Sequence, residues 1–197
     1  MRITNGSTTA ILALSLMAGA VVGCAKGDEA ATDTSAAAMA TTAPDSAMGG
    51  MNRPPAKDAD QEFLRMMSDH HEGMIQMGSA AMTKGSTPAV QGDAHMMHTM
   101  QMDEQKKMMG MLQTSYGESP MPMLMPSNKA MMDALGSKTG PDYDRAFYLN
   151  VIAHHEEAVR MVDDMMPKLA NTEVKQMAAM MKADQVKEIA ALRKKVK

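Results

Sequence analysis

One stretch of this chain occurs twice. Phe63-Leu-Arg-Met-Met-Ser-Asp-His-His-Glu-Gly-Met-Ile-Gln-Met77 returns, altered, as Phe147-Tyr-Leu-Asn-Val-Ile-Ala-His-His-Glu-Glu-Ala-Val-Arg-Met161. Phe63 and Phe147, His70 and His154, His71 and His155, and Glu72 and Glu156 all stand 84 residues apart, as do Gln101 and Gln185 and Glu104 and Glu188 further on. A module of about 54 residues is therefore used twice without insertion, at about 60–113 and 144–197, and the fold has to accommodate two equivalent units.

Each unit reads as two helices. Phe63, Met67, His70, Met74, Met77 and Ala81 recur at steps of three and four, which predicts an amphipathic helix over about 60–82. Asp58 or Asp60 caps its start and Gly85 ends it. Thr87-Pro88 opens a second helix to about Thr114, with Val90, Ala94, Met97, Gln101 and Met108 inward. The second unit repeats this: Phe147, Val151, His154, Ala158, Met161 and Met165 lie on one face, then Val174, Ala178, Met181, Gln185, Ile189 and Leu192 on another. Two hairpins that each expose an apolar face bury those faces against one another, so the expected fold is all-α, a four-helix bundle from two tandem hairpins over residues 58–197. Between the hairpins, Pro120-Met-Pro-Met-Leu-Met-Pro126 cannot be helical, and a short helix follows from Ser127 to Leu135.

Before the repeats the chain changes character. Residues 1–24 pair Arg2 with an apolar run from Ala10 to Val22, too short to span a bilayer and of signal-peptide form. It ends Ala20-Val-Val-Gly-Cys24, around the only cysteine in the chain. A small-residue run ending in cysteine resembles the lipobox of bacterial lipoproteins, which implies a lipidated Cys24, a membrane anchor and an envelope location facing the periplasm or the exterior. Residues 25–57 are rich in Ala, Thr, Ser, Asp, Gly and Pro without a periodic apolar face, the composition of a disordered tether. A net charge of −3 and a pI near 6.1 give no reason to expect nucleic acid as a partner.

The residues that carry chemistry are histidine and methionine. There are 28 methionines against 2 Phe, 3 Tyr and no Trp, which fits a soft helical core and equally supplies the thioether ligands that favour Cu(I). Adjacent histidines on a helix point about 100° apart, which puts His70 and His154 on the buried stripe and His71 and His155 on its flank, so chelation along the helix uses steps of three or four. Such steps join His70 and His71 to Met67, Met74 and Met77, and His95 to His98. Hairpin geometry sets His70 opposite Gln101, His98 opposite Gly73 and Met74, and His154 opposite Gln185. Those glutamines would satisfy buried imidazoles in a purely structural core, or orient metal-bound ones. The second unit is poorer, with Val151 and Ala158 in the places of Met67 and Met74.

Other chemistries fit less well. A di-iron carboxylate bundle needs Glu-x-x-His, which the sequence lacks, structural zinc usually wants several cysteines, and Cys-x-x-Cys-His is absent. No nucleophile constellation or phosphate loop suggests an enzyme. The residues thus point to a metal ion as partner, Cu(I) first. A metal-free interaction module is the alternative, and a haem or redox protein a more distant one.

The paired signature, Phe63-Leu-x-x-Met-x-x-His-His-x-x-Met-Ile-x-Met and Phe147-x-x-x-Val-x-x-His-His-x-x-Ala-Val-x-Met, resembles that of domain-of-unknown-function family 305. The resemblance implies a ferritin-like four-helix fold and, from some members, copper binding and copper tolerance. It implies that His70, His71, His154, His155, Met67, Met77 and Met161 are the family positions, while Met74 and Gly78 depart from the alanines usual there.

Overall fold

The computed structural model describes residues 53–197, so the expected signal peptide, Cys24 and nearly all of the tether lie outside the described residues. Five α-helices and no strands make up the described part: α1 (Ala59–Lys84), α2 (Pro88–Tyr116), α3 (Pro126–Gly136), α4 (Gly140–Met165) and α5 (Thr172–Lys195). Their starts are written in the sequence. The Asp58 carboxylate accepts from the Gln61 amide, Thr87 caps α2 ahead of Pro88, and Asn171 accepts from Glu173 and Val174. Gly117, with φ of 67°, closes α2 in the left-handed conformation, its N–H donating to the Gln113 carbonyl.

α1 packs on α2, α4 on α5, and α1 on α4, with α3 laid against both α1 and α4. The residues of the inward stripes are buried as their spacing predicts, Met161 alone being half-exposed. One apolar cluster joins the C-terminal half of α1 (Met74, Met77, Ala81) to the N-terminal half of α4 (Phe147, Val151), together with Val90 and Met97 of α2 and Ile189 and Leu192 of α5. The other joins Phe63, Leu64 and Met67 to Ala158, Val162 and Met165, with Met108 and Leu112 of α2 and Val174, Ala178 and Met181 of α5. α1 and α4 therefore run antiparallel. Between the two clusters each long helix contributes polar residues: His70 and His71, Gln101, His154 and His155, and Gln185, all buried. A band of imidazole and amide divides the core at its waist.

The two repeats also hold each other at their ends. Asp60, at the start of α1, accepts from the backbone N–H groups of Ala170 and Asn171 in the α4–α5 turn. Its counterpart Asp144, at the start of α4, accepts from the Ser86 N–H and hydroxyl in the α1–α2 turn. Each carboxylate satisfies donors that a hairpin turn leaves without partners. The two aspartates stand 84 residues apart and are thus equivalent positions of the repeat.

Residues 53–57, expected as the end of the tether, are docked on the helices. Arg53 forms a bidentate pair with buried Asp69, at 2.7 and 3.0 Å, and Arg65 donates to the Pro54 carbonyl. Asp69 also accepts from the Met123 N–H, and Arg65 pairs with Glu118, so the proline-rich connector is strapped along α1.

Candidate metal-binding centre

Adjacency was expected to leave His71 and His155 on the flank of the buried stripe. All four imidazoles are instead fully buried, because α2 and α5 cover those flanks. The rings of His70 and His154 lie 3.8 Å apart, centre to centre, where α1 meets α4, and each stands about 6 Å from its own neighbour, 6.3 Å to His71 and 5.9 Å to His155. The motif thus forms one cluster of four rings drawn from both repeats.

The ring nitrogens show how each imidazole is held. His154 Nε2 donates to the His70 carbonyl at 2.9 Å, which leaves its Nδ1 as a bare lone pair with no partner. His71 Nε2 meets Glu104 at 2.9 Å, and its Nδ1 is likewise unpartnered. His155 Nε2 lies 2.8 Å from Glu188, at ion-pair distance without hydrogen-bond alignment. Neither nitrogen of His70 has a hydrogen-bond partner, the nearest carboxylate being Glu157 at 3.7 Å. Burial first, then the neighbouring imidazoles, hold His70 and His154 well below the ordinary imidazole range, so both are neutral at pH 7.

The expected glutamine partners are not made. Gln101 Oε1 and both polar atoms of the Gln185 amide are buried without hydrogen bonds. The register of the hairpins brings a glutamate three residues further along, Glu104 or Glu188, to the second histidine of each pair instead. These two glutamates were legible as repeat partners but not as imidazole partners. Glu157 and Asn128, which donates to the His70 carbonyl, gave no sequence signal.

The methionines divide by depth. Met67 and Met74 are fully buried one turn before and after the His70–His71 pair, and Met77 is buried a turn beyond. Gly78 opens room beside Met74: its missing Cβ would stand 3.4 Å from the Met74 methyl and 3.1 Å from the His98 Cβ. His98 is half-buried there and its Nδ1 donates to the Ile75 carbonyl at 2.9 Å. His95 does not join this group. It follows inward-facing Ala94 by one residue, about 100° off the buried stripe, and is exposed. Met161 is half-buried against the second apolar cluster. In the second repeat Val151 and Ala158 fill the positions of Met67 and Met74.

Among the described residues, no three His, Cys, Asp or Glu side chains converge as a metal-holding group. Nitrogen donors here have to be completed by sulfur or by movement of a carboxylate. His71, His98 and His154 each hold one ring nitrogen against an oxygen and have no such contact at the other, the arrangement that orients metal-bound histidines.

The family model of a domain of unknown function, DUF4142, matches residues 45–193. Among solved structures the chain is similar to CopM in the Cu(I)-bound form, at 26% identity over 68% of this chain and 93% of that one, with a TM-score of 0.59. It is similar to CopM in the Cu(II)-bound form at 26% identity, over 70% and 95%, with a TM-score of 0.60. A DUF305 fragment from Deinococcus radiodurans, 22% identical over 73% and 98%, shares the fold with a TM-score of 0.63. The family-305 likeness expected from the paired signature is thus present in the structural relatives. No curated protein matches the chain.

Proposed function

The chain belongs to the DUF4142 family of domains of unknown function, and from that premise we propose that it binds Cu(I) as a non-catalytic envelope lipoprotein anchored through Cys24. In this reading the described helices form a ferritin-like four-helix bundle. The protein sequesters copper or passes it on, using thioether and imidazole donors of the first repeat: Met67, Met74 and Met77 with His70, His71 and His98. His154, His155 and Met161 serve as scaffold or a weaker site.

The observation that carries the reading is the cluster of four fully buried imidazoles, with His70 and His154 held neutral, whose ring nitrogens are largely without hydrogen-bond partners. Buried polar atoms are nearly always hydrogen-bonded, and so many exceptions in one layer are hard to reconcile with a merely structural core. Thioethers one turn to either side make the first repeat the softer set, which suits Cu(I). Likeness to CopM in copper-bound forms supports a copper-related role.

Anaerobic titration with Cu(I) against a chromophoric chelator tests this. Tight binding is expected, weakened far more by H70A/H71A than by H154A/H155A. Equal weakening by both pairs would count against the placement in the first repeat. A second reading, a docking module, draws on the exposed thioethers of Met96, Met102 and Met180. Protein capture that persists in the presence of a chelator would favour it.

A further inference from the structure

A small cleft opens between α2 and α5 beside the histidine layer, with about 10 Å³ of free volume, room for one ion or one water. Its lining comes in repeat-related pairs: Met100 with Asp184, Gln101 with Gln185, Glu104 with Glu188. The cleft therefore sits on the approximate two-fold relation between the repeats, where no local sequence pattern would reveal it. His155 completes the wall.

Three features make this more than a gap. Gln101 and Gln185 are each 3% exposed, and the Gln101 carbonyl and the whole Gln185 amide are without hydrogen bonds. His155 Nε2 is fully buried and also unaligned with any acceptor. Glu104 and Glu188 bring two carboxylates that no lysine or arginine neutralises among the described residues, their only ion-pair contacts being His71 and His155. Asp184, by contrast, is held by Lys187 at 2.8 Å.

We propose that this cleft binds one divalent cation of the borderline class, such as Zn(II) or Cu(II), through Glu104, Glu188, His155 Nε2 and an amide oxygen of Gln101 or Gln185. Oxygen and imidazole donors suit such ions, whereas the thioethers of α1 suit Cu(I), so this site is distinct from the first-repeat thioether set proposed above and gives His155 a role of its own. The carboxylates are 24% and 21% exposed at the ends of flexible side chains, free to close on an ion that the resting arrangement does not yet clasp. The two halves differ: Glu104 is hydrogen-bonded to His71 Nε2, whereas Glu188 lies 2.8 Å from His155 Nε2 without hydrogen-bond alignment, which leaves His155 Nε2 the nitrogen that can turn to an ion.

The test uses the full chain, titrated with Zn(II) against a chromophoric chelator and examined with Cu(II) by electron paramagnetic resonance. One Zn(II) equivalent is expected, with affinity reduced at least tenfold in E104Q/E188Q and to an intermediate degree in each single variant, at unchanged circular dichroism. M67L/M74L should leave Zn(II) affinity within twofold. The Cu(II) spectrum should show coupling to one imidazole nitrogen, lost in H155Q. Zn(II) affinity that is the same in E104Q/E188Q as in the unaltered chain overturns the proposal, as does the absence of any Zn(II) uptake. Ag(I) titration of the unaltered chain separates the two sites. If Ag(I) binds and the carboxylates are indifferent to Zn(II), the cleft site falls alone. If Ag(I) does not bind but Zn(II) depends on Glu104 and Glu188, the thioether site falls and the cleft stands.

Discussion

Replacing Gly73 by alanine should destabilise the protein, although the same change in an exposed helix interior stabilises it. A Cβ on Gly73 would stand 2.6 Å from the Cβ of Asn128 and nearer still to its amide, a separation real Cβ atoms do not tolerate. Asn128 is 2% exposed and donates to the His70 carbonyl at 3.2 Å, so it cannot swing into solvent without breaking that bond. Overpacking of this kind costs about 1–3 kcal/mol, and loss of the hydrogen bond about 1 kcal/mol more. Better helix propensity returns about 1 kcal/mol. The net expectation is a loss of about 1–3 kcal/mol, or roughly 2–10 °C in Tm for a domain of this size. Gly110, on the exposed face of α2 with nothing within 4 Å of its added Cβ, is the control, and G110A should gain about 0.5–1 kcal/mol. Urea and thermal unfolding followed by circular dichroism measure both. In an N128A background the G73A penalty should shrink, since the clashing side chain is gone. If G73A raises the midpoint as G110A does, α3 is not seated on α1 as described.

Three further outcomes follow from the same contacts. D60A and D144A should each lower stability by about 1–3 kcal/mol, because each leaves backbone donors of a turn without a charged acceptor; a large effect from only one would show that the reciprocal straps are not equivalent. For pH, the sign follows from the depressed pKa values of His70 and His154 in the folded state. The unfolded chain binds protons there more readily, so stability is fully present above the unfolded value near 6.5 and is lost as pH falls toward the folded values. Chemical denaturation between pH 7.5 and 5 should show this decline, H154Q should lessen its slope, and a stability that rises on acidification would refute the burial of neutral rings. Substituting Met67 and Met74 by leucine keeps volume and apolar character, so unfolding midpoints should change little, while Cu(I) affinity drops at least tenfold; a drop in stability with unchanged affinity would make these methionines packing residues only.

Much of the helical architecture was legible because methionine, valine and alanine recur at three- and four-residue steps, and because Asp58, Thr87 and Asn171 stand where caps are needed. The inward stripes followed from that periodicity alone. What periodicity could not give was the environment of the flanks. His71 and His155 look peripheral on a helical wheel, yet they are buried because neighbouring helices cover them. The choice of Glu104 over Gln101 as imidazole partner depends on a shift along the hairpin that turn length fixes only approximately. His95 lies outside the buried group for the opposite reason, since a step of three from His98 says nothing about which of the two faces the core. Residues from distant elements, such as Asn128 against Gly73 or Arg53 against Asp69, leave no periodic trace, and for Asp60 and Asp144 the repeat shows their equivalence but not the turns they hold.

The central claim is that methionine sulfur and histidine nitrogen together hold copper inside the first repeat. X-ray absorption at the copper edge of protein loaded anaerobically with one equivalent of Cu(I) tests it most directly. Mixed sulfur and nitrogen coordination, with the sulfur contribution lost in the variant that replaces Met67 and Met74 by leucine, is the result expected. Coordination by nitrogen and oxygen alone, unaffected by that substitution, would contradict it.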